Sequence, residues 1–154
     1  MSDVYIVGAG MIPFGRFPDR TYWQLGAEAA LMALDDAGLS IKDVGAVYAS
    51  STYNAQSLLG QKILMQIGQT GVPCINVSNA CASGATAVRE AFVAIKSGLY
   101  DVVLAVGAAQ SEGYAPDKRR LVDFIGSYPP GDMALGEMRG TMRVPFIKMH
   151  GLGN

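Results

Sequence analysis

Four short apolar runs, each separated from the next by a stretch with helical spacing, constrain this chain more than any other feature. Val4-Tyr5-Ile6-Val7 runs into Gly8-Ala9-Gly10 and reads as a buried strand followed by a tight turn. From Thr21 to Ala37 the period lengthens: Leu25, Ala29, Met32 and Ala33 recur at helical spacing. Thr21 stands where an N-cap belongs and Gly38 where a C-cap glycine belongs. Val44-Gly45-Ala46-Val47-Tyr48 reads as a second strand, and Leu58 to Ile67, closed by Gly68, as a second helix. Cys74-Ile75-Asn76-Val77 is a third strand. Ala82 to Lys96 is helical, with Ala87, Ala91, Ala94 and Ile95 on one face and Gly98 at its end. Val102-Val103-Leu104-Ala105-Val106 is the most hydrophobic strand of all. The order β-α-β-α-β-α-β predicts an α/β fold: a mostly parallel sheet, helices on its faces and right-handed crossovers.

Beyond Gly107 this regularity fades. Residues 108–141 carry Pro116, Pro129-Pro130 and several glycines, with one short possible helix at Leu121 to Ile125. They read as a partial loop region, an excursion over the face of a domain. The expected organisation is therefore a core over 1–107, the excursion over 108–141, and a tail of different character over 142–154.

Composition agrees with one domain and removes several function classes. Half of the 154 residues are hydrophobic, 16% are charged and 19 are glycine, which suits a covered sheet with tight turns and not a disordered chain. Net charge is −1 and Lys118-Arg119-Arg120 is a basic run of only three, so nucleic acid is not an expected partner. No apolar run reaches the roughly 18 residues that a membrane-spanning helix needs. Met1-Ser2-Asp3-Val4 lacks the basic start of a secretory signal, and the expected location is cytoplasmic. Cys74 and Cys81 form no disulfide framework, and with His150 the sole histidine no metal site is expected. Nor is a cofactor: Gly8-Ala9-Gly10 begins like a dinucleotide fingerprint, but Pro13 stands where the third glycine belongs. No acidic residue follows in Val47-Tyr48-Ala49-Ser50. The glycines are better used in a turn, and Tyr22, Trp23, Met32 and Met65 in core or interface packing.

The candidate for chemistry is Cys81, in Asn79-Ala80-Cys81-Ala82-Ser83-Gly84-Ala85, where a strand hands over to a helix. A thiol there meets the unpaired N–H groups and the positive end of the helix dipole, which favour thiolate and should lower its pKa. The small neighbours Ala80, Ala82, Gly84 and Ala85 leave room for a substrate chain. A buried, inert thiol is the competing reading of Cys81, and it is the preferred one for Cys74, inside a strand after Pro73.

Three passages extend this. Pro73-Cys74-Ile75-Asn76-Val77-Ser78-Asn79-Ala80-Cys81-Ala82-Ser83-Gly84, followed by Ser97 to Gly107, resembles the thiolase superfamily, in its lipid-transfer or sterol-carrier-protein-X branch. The opening Val4 to Arg16 and the stretch Ala37 to Val44 resemble the same branch. The resemblance implies the first of two similar β-α-β-α-β-α-β-β halves. It also implies that Cys81 attacks an acyl-CoA thioester, holds the acyl group and passes it on, in thiolysis of a 3-ketoacyl-CoA or in Claisen condensation. Coenzyme A thioester is then a substrate and not a cofactor. The histidine, the second acid/base and the oxyanion donors come mainly from the second half in that family, and His150 lies in no thiolase motif. The expectation is thus a truncated acyltransferase, inactive alone, working as a homo-oligomer or beside a partner supplying the missing half. A non-catalytic binding or assembly fragment is the alternative. Gly107-Ala108-Ala109-Gln110-Ser111-Glu112 departs from the family, where a Glu and then Lys or Ser-Met often stand, and this leaves substrate choice open.

The tail differs. Met142 to Asn154, with its run Lys148-Met149-His150-Gly151-Leu152-Gly153-Asn154, resembles the start of diaminopimelate epimerase. That likeness implies an edge strand and a turn, with Asn154 at a substrate-contacting position. It also raises a misassembled reading frame as a further alternative.

Overall fold

In a computed structural model of the chain, residues 3–15, 17–52, 57–109 and 147–151 are described, the last of these by backbone alone. The elements are β1 (Val4–Gly8), α1 (Tyr22–Asp36), β2 (Ala46–Ser50), α2 (Leu59–Ile67), β3 (Cys74–Val77), α3 (Ser83–Lys96), β4 (Val102–Gly107) and β5 (Ile147–Gly151), with a 3-10 turn at Ile41–Asp43 before β2. The expected alternation is present, and each helix stops at or near its expected glycine. Gly38 and Gly98 take φ of +64° and +76°, which an L-residue adopts only at a cost.

The five strands form one sheet in the order β1-β5-β4-β2-β3. β2 pairs in parallel with β3 on one side and β4 on the other. β5 pairs antiparallel with both β4 and β1. The fold is α/β with a mostly parallel sheet and helices on both faces. The tail, expected to form an edge strand, instead contributes an interior one. Residues 110–146, with the possible helix at Leu121 to Ile125, lie outside the described residues, as do residues 152–154.

Alternation along β2 and β4 builds two cores, because successive side chains point to opposite faces. Val47, Ala49, Leu104 and Val106 pack with Tyr22, Ala30, Leu34, Leu59 and Ile63 of α1 and α2. Ala46, Val103 and Ala105 pack with Ala87, Ala91 and Ile95 of α3 on the other side. The α3 face read from the sequence is the buried face.

On α1 the buried stripe is shifted. Ala27, Ala29, Ala30, Ala33 and Leu34 are buried while Met32 is exposed, as is Met65 on α2. Gly8 and Gly10 lie against this helix. Side chains there would collide with the Ala33 and Ala29 carbonyls and with the Cβ atoms of Ala37 and Met32. These glycines bring the chain flush against the helix, and the backbone N–H of Ala9 donates to Asp36 Oδ2 at 2.9 Å. Close approach, and not the tight turn expected, is their use.

Local caps set the helix starts. Thr21 caps α1 in a reciprocal box with Gln24, whose Oε1 accepts from the Thr21 N–H at 2.9 Å. α2 has no such residue: its N-cap is Leu58, at φ +56° with no side-chain bond. Asn76 of β3 replaces it, accepting from the Gly60 N–H at 2.8 Å and donating to Gln61 Oε1 at 2.7 Å. Tyr22, 2% exposed, ties α1 to the segment leading into α2 through a hydroxyl hydrogen bond with Ser57. Lys62 lies 4.5 Å from the centre of the Trp23 ring, a cation–π distance.

Candidate functional site

The carboxyl ends of β2, β3 and β4 lie side by side, with Ser50 opposite Val77 and Gly107. In open α/β sheets this edge is where ligands bind. From it the chain leaves β3 and reaches α3 through Ser78 to Ala82, and Cys81 stands in that connection, exposed.

The turn is tightly tied. Ala80 has φ +44°, one of two non-glycine residues with positive φ among those described. Left-handed backbone costs an L-residue about 1–2 kcal/mol, so other bonds must hold it. The Ala80 carbonyl accepts from the Ser83 N–H at 3.2 Å and the Ser83 hydroxyl at 2.7 Å. Thr52 Oγ1, just past β2, donates to the same oxygen at 3.3 Å. The Ser83 oxygen in turn accepts from the Asn79 N–H at 2.8 Å. Asn79 Nδ2 donates to Thr86 Oγ1 at 2.9 Å, one turn into the helix.

Cys81 sits one residue ahead of the N-cap, Ala82, which brings no side-chain bond. The N–H groups of Ala82 and Ser83 are taken by the carbonyls of Asn79 and Ala80. Those of Gly84 and Ala85 find no acceptor among the described residues, which leaves donors for an incoming oxygen at the start of α3. The arrangement offers an exposed thiol beside a helix amino terminus, at the edge where the parallel strands end.

Cys74 is placed differently. It opens β3, half-buried against Gly60, whose tight approach leaves no space for a side chain facing the sulfur. Burial pushes the Cys74 thiol up from 9.0 to about 11. A thiol held protonated in this way is a poor nucleophile.

His150 is not brought to Cys81 by the sheet. Its backbone pairs with Val102, at the start of β4, while Cys81 follows the edge where β4 ends. Five residues of strand separate those ends, about 17 Å at the usual rise. Sequence reasoning placed Cys81 but passed over Ser83, Thr52 and Asn76. For Ser83 a signal existed: it is the one hydroxyl in an otherwise small and apolar run from Ala80 to Ala85. Thr52 had none, because its role depends on two strand ends meeting.

Residues 4–117 match the family described as Thiolase, N-terminal domain. The chain belongs to the thiolase family. An acetyl-CoA acetyltransferase of Methanothermobacter thermautotrophicus is 33% identical over 111 residues, covering 70% of this chain and 29% of that protein. Sterol carrier protein 2 of Gallus gallus is 38% identical over 112 residues, covering 68% of this chain and 19% of its own length. The solved acetyl-CoA acetyltransferase from Syntrophomonas wolfei superposes with a TM-score of 0.61 at 26% identity, over 68% of this chain and 28% of that one. The thiolase resemblance read from the sequence thus holds, including its lipid-transfer branch. This chain spans less than a third of the length of these curated relatives. No described helix is long and apolar enough to cross a membrane.

Proposed function

We propose that this chain carries the nucleophile of a thiolase-type acyl transfer, with Cys81 taking an acyl group from a coenzyme A thioester. The thiolate attacks the thioester carbonyl, a tetrahedral oxyanion forms, and coenzyme A leaves as its thiolate, giving an S-acyl cysteine. That intermediate passes to coenzyme A in thiolysis or to a carbon nucleophile in condensation. No cofactor takes part. The observation that carries this reading is the exposure of Cys81 between β3 and α3, inside the segment matched to the family. The N–H groups at the start of α3 that find no acceptor among the described residues support the developing oxyanion.

Acyl transfer needs further groups besides the thiol. The histidine and second acid/base that thiolases use belong, by the resemblance, to a second half, and His150 pairs at the far end of the sheet. Alone, the chain is proposed to acylate slowly and not turn over. The outer face of α3 supports a partner: Phe92, Val93 and the following Leu99 are exposed and apolar. A second copy or a complementary half is the proposed occupant, and the cytosol, where both cysteines stay reduced, the proposed location.

The test is acylation. Incubated with acetyl-CoA and digested, the protein should carry an acetyl group on Cys81 by mass spectrometry, with none on Cys74 and none after Cys81→Ala. Adding the carboxy-terminal half of a related acetyltransferase should raise the rate. An unlabelled Cys81 under both conditions overturns the reading.

A further inference from the structure

A serine at the N-cap of a helix accepts from backbone N–H groups further into that helix. Ser83 stands one residue later, at the first helical position, and bonds back to the turn instead. Its oxygen accepts from Asn79 N–H at 2.8 Å and its hydroxyl proton goes to the Ala80 carbonyl at 2.7 Å, both residues ahead of the helix. Ser83 is 2% exposed, so water is poorly placed to replace it. A hydroxyl has one proton to give, and here that proton and a lone pair both serve the turn.

What the turn holds is Ala80 at φ +44°. Alanine relaxes from that value to negative φ unless restrained, and such a relaxation reorients the peptide between Ala80 and Cys81. Cys81 is exposed and no hydrogen bond ties its sulfur to another described residue, so its direction is set by the backbone on either side. Thr52, just past β2, reaches the same Ala80 carbonyl at 3.3 Å, which ties the turn to the end of that strand as well as to α3.

We infer that Ser83 is a positioning residue: its buried hydroxyl holds Ala80 in the left-handed conformation that aims Cys81 out of the strand-to-helix turn. The consequence for chemistry rests on Cys81 being the nucleophile. The positioning itself does not.

Two readouts keep these apart. Backbone NMR of Ala80, from carbon shifts and residual dipolar couplings, reports its φ whether or not any acyl transfer occurs. Acetylation of Cys81 by acetyl-CoA reports the chemistry. Ser83→Ala should move Ala80 to negative φ and slow acetylation about 100-fold, the order expected for misplacement of a reacting atom by about 1 Å. Glycine adopts positive φ without strain, so the double variant Ser83→Ala with Ala80→Gly should recover most of that rate. A merely structural serine would show no such rescue, because Ala80→Gly adds backbone entropy and no contact. In the unaltered protein the Asn79 amide should exchange slowly with solvent, which tests the bond even if Ser83→Ala fails to fold. The inference is overturned if Ala80 keeps positive φ in Ser83→Ala, if the Asn79 amide exchanges freely, or if, with a wild type that acetylates, the double variant reacts no faster than the single one. Wild-type protein that shows the expected Ala80 geometry yet never acetylates overturns the functional reading and leaves the positioning standing.

Discussion

One side of the sheet is stabilised by what covers it and the other by what it pairs with. β3, β2 and β4 run parallel between α1 and α2 on one face and α3 on the other, with Val47, Val103, Leu104 and Val106 almost fully buried. β1 reaches that region through β5, a strand from more than a hundred residues further along the chain, and through the glycines pressed on α1. Tyr5 and Ile6 of β1 are exposed. The parallel region is thus specified by local apolar pattern, whereas the antiparallel one depends on a long-range ladder. The thiol belongs to the first region and the only histidine to the second.

The difference can be broken from either side. Leu104→Ala empties a position in the middle of the parallel core and should cost about 2–5 kcal/mol, read as a lowered urea midpoint across the whole molecule. Met149→Pro strikes the ladder, where Met149 stands between Ile6 and Val103. It should cost about 1–3 kcal/mol for the unpaired groups. Hydrogen exchange should then accelerate in Val4–Gly8 while β2 and β3 stay protected. Equal loss in all strands would mean that the two regions open as one unit.

A smaller effect is expected from Asn76→Ala. It removes the acceptor that stands in for an N-cap on α2 and leaves the Gly60 N–H unpaired. The expected loss is about 1 kcal/mol by denaturation, with exchange accelerated at the first turn of α2. A pH effect is expected as well. Cys74 has its thiol raised from 9.0 to about 11 in the folded chain. The unfolded chain therefore gives up this proton first, so stability is intact below pH 9 and declines as pH rises through about 11. Cys74→Ala should flatten that decline in a series of denaturation curves, and an unchanged slope would assign it to other groups.

Much of this was legible in the residues. Thr21 and Gln24 sit three apart and cap α1 between themselves, and Ala87, Ala91, Ala94 and Ile95 repeat at helical spacing and are buried. Cys81 could be found because a cysteine among small residues between a strand and a helix is a local pattern. Met32 fits the spacing of the stripe yet is exposed, so it takes no part in the core. Asn76 as the cap of α2 was invisible, since its partners lie fifteen or more residues away.

Short-range order along the chain fixed the parallel strands, the three helices and the place of the thiol, because spacing, caps and glycines act over a few residues. Folding in space decided three other things: that Ile147–Gly151 enters between β1 and β4, that two glycines serve a close contact, and that Ser83 turns back to hold Ala80. Each of these joins groups whose meeting depends on how distant segments pack or on which backbone torsion a turn adopts, and neither is written in the order of residues alone.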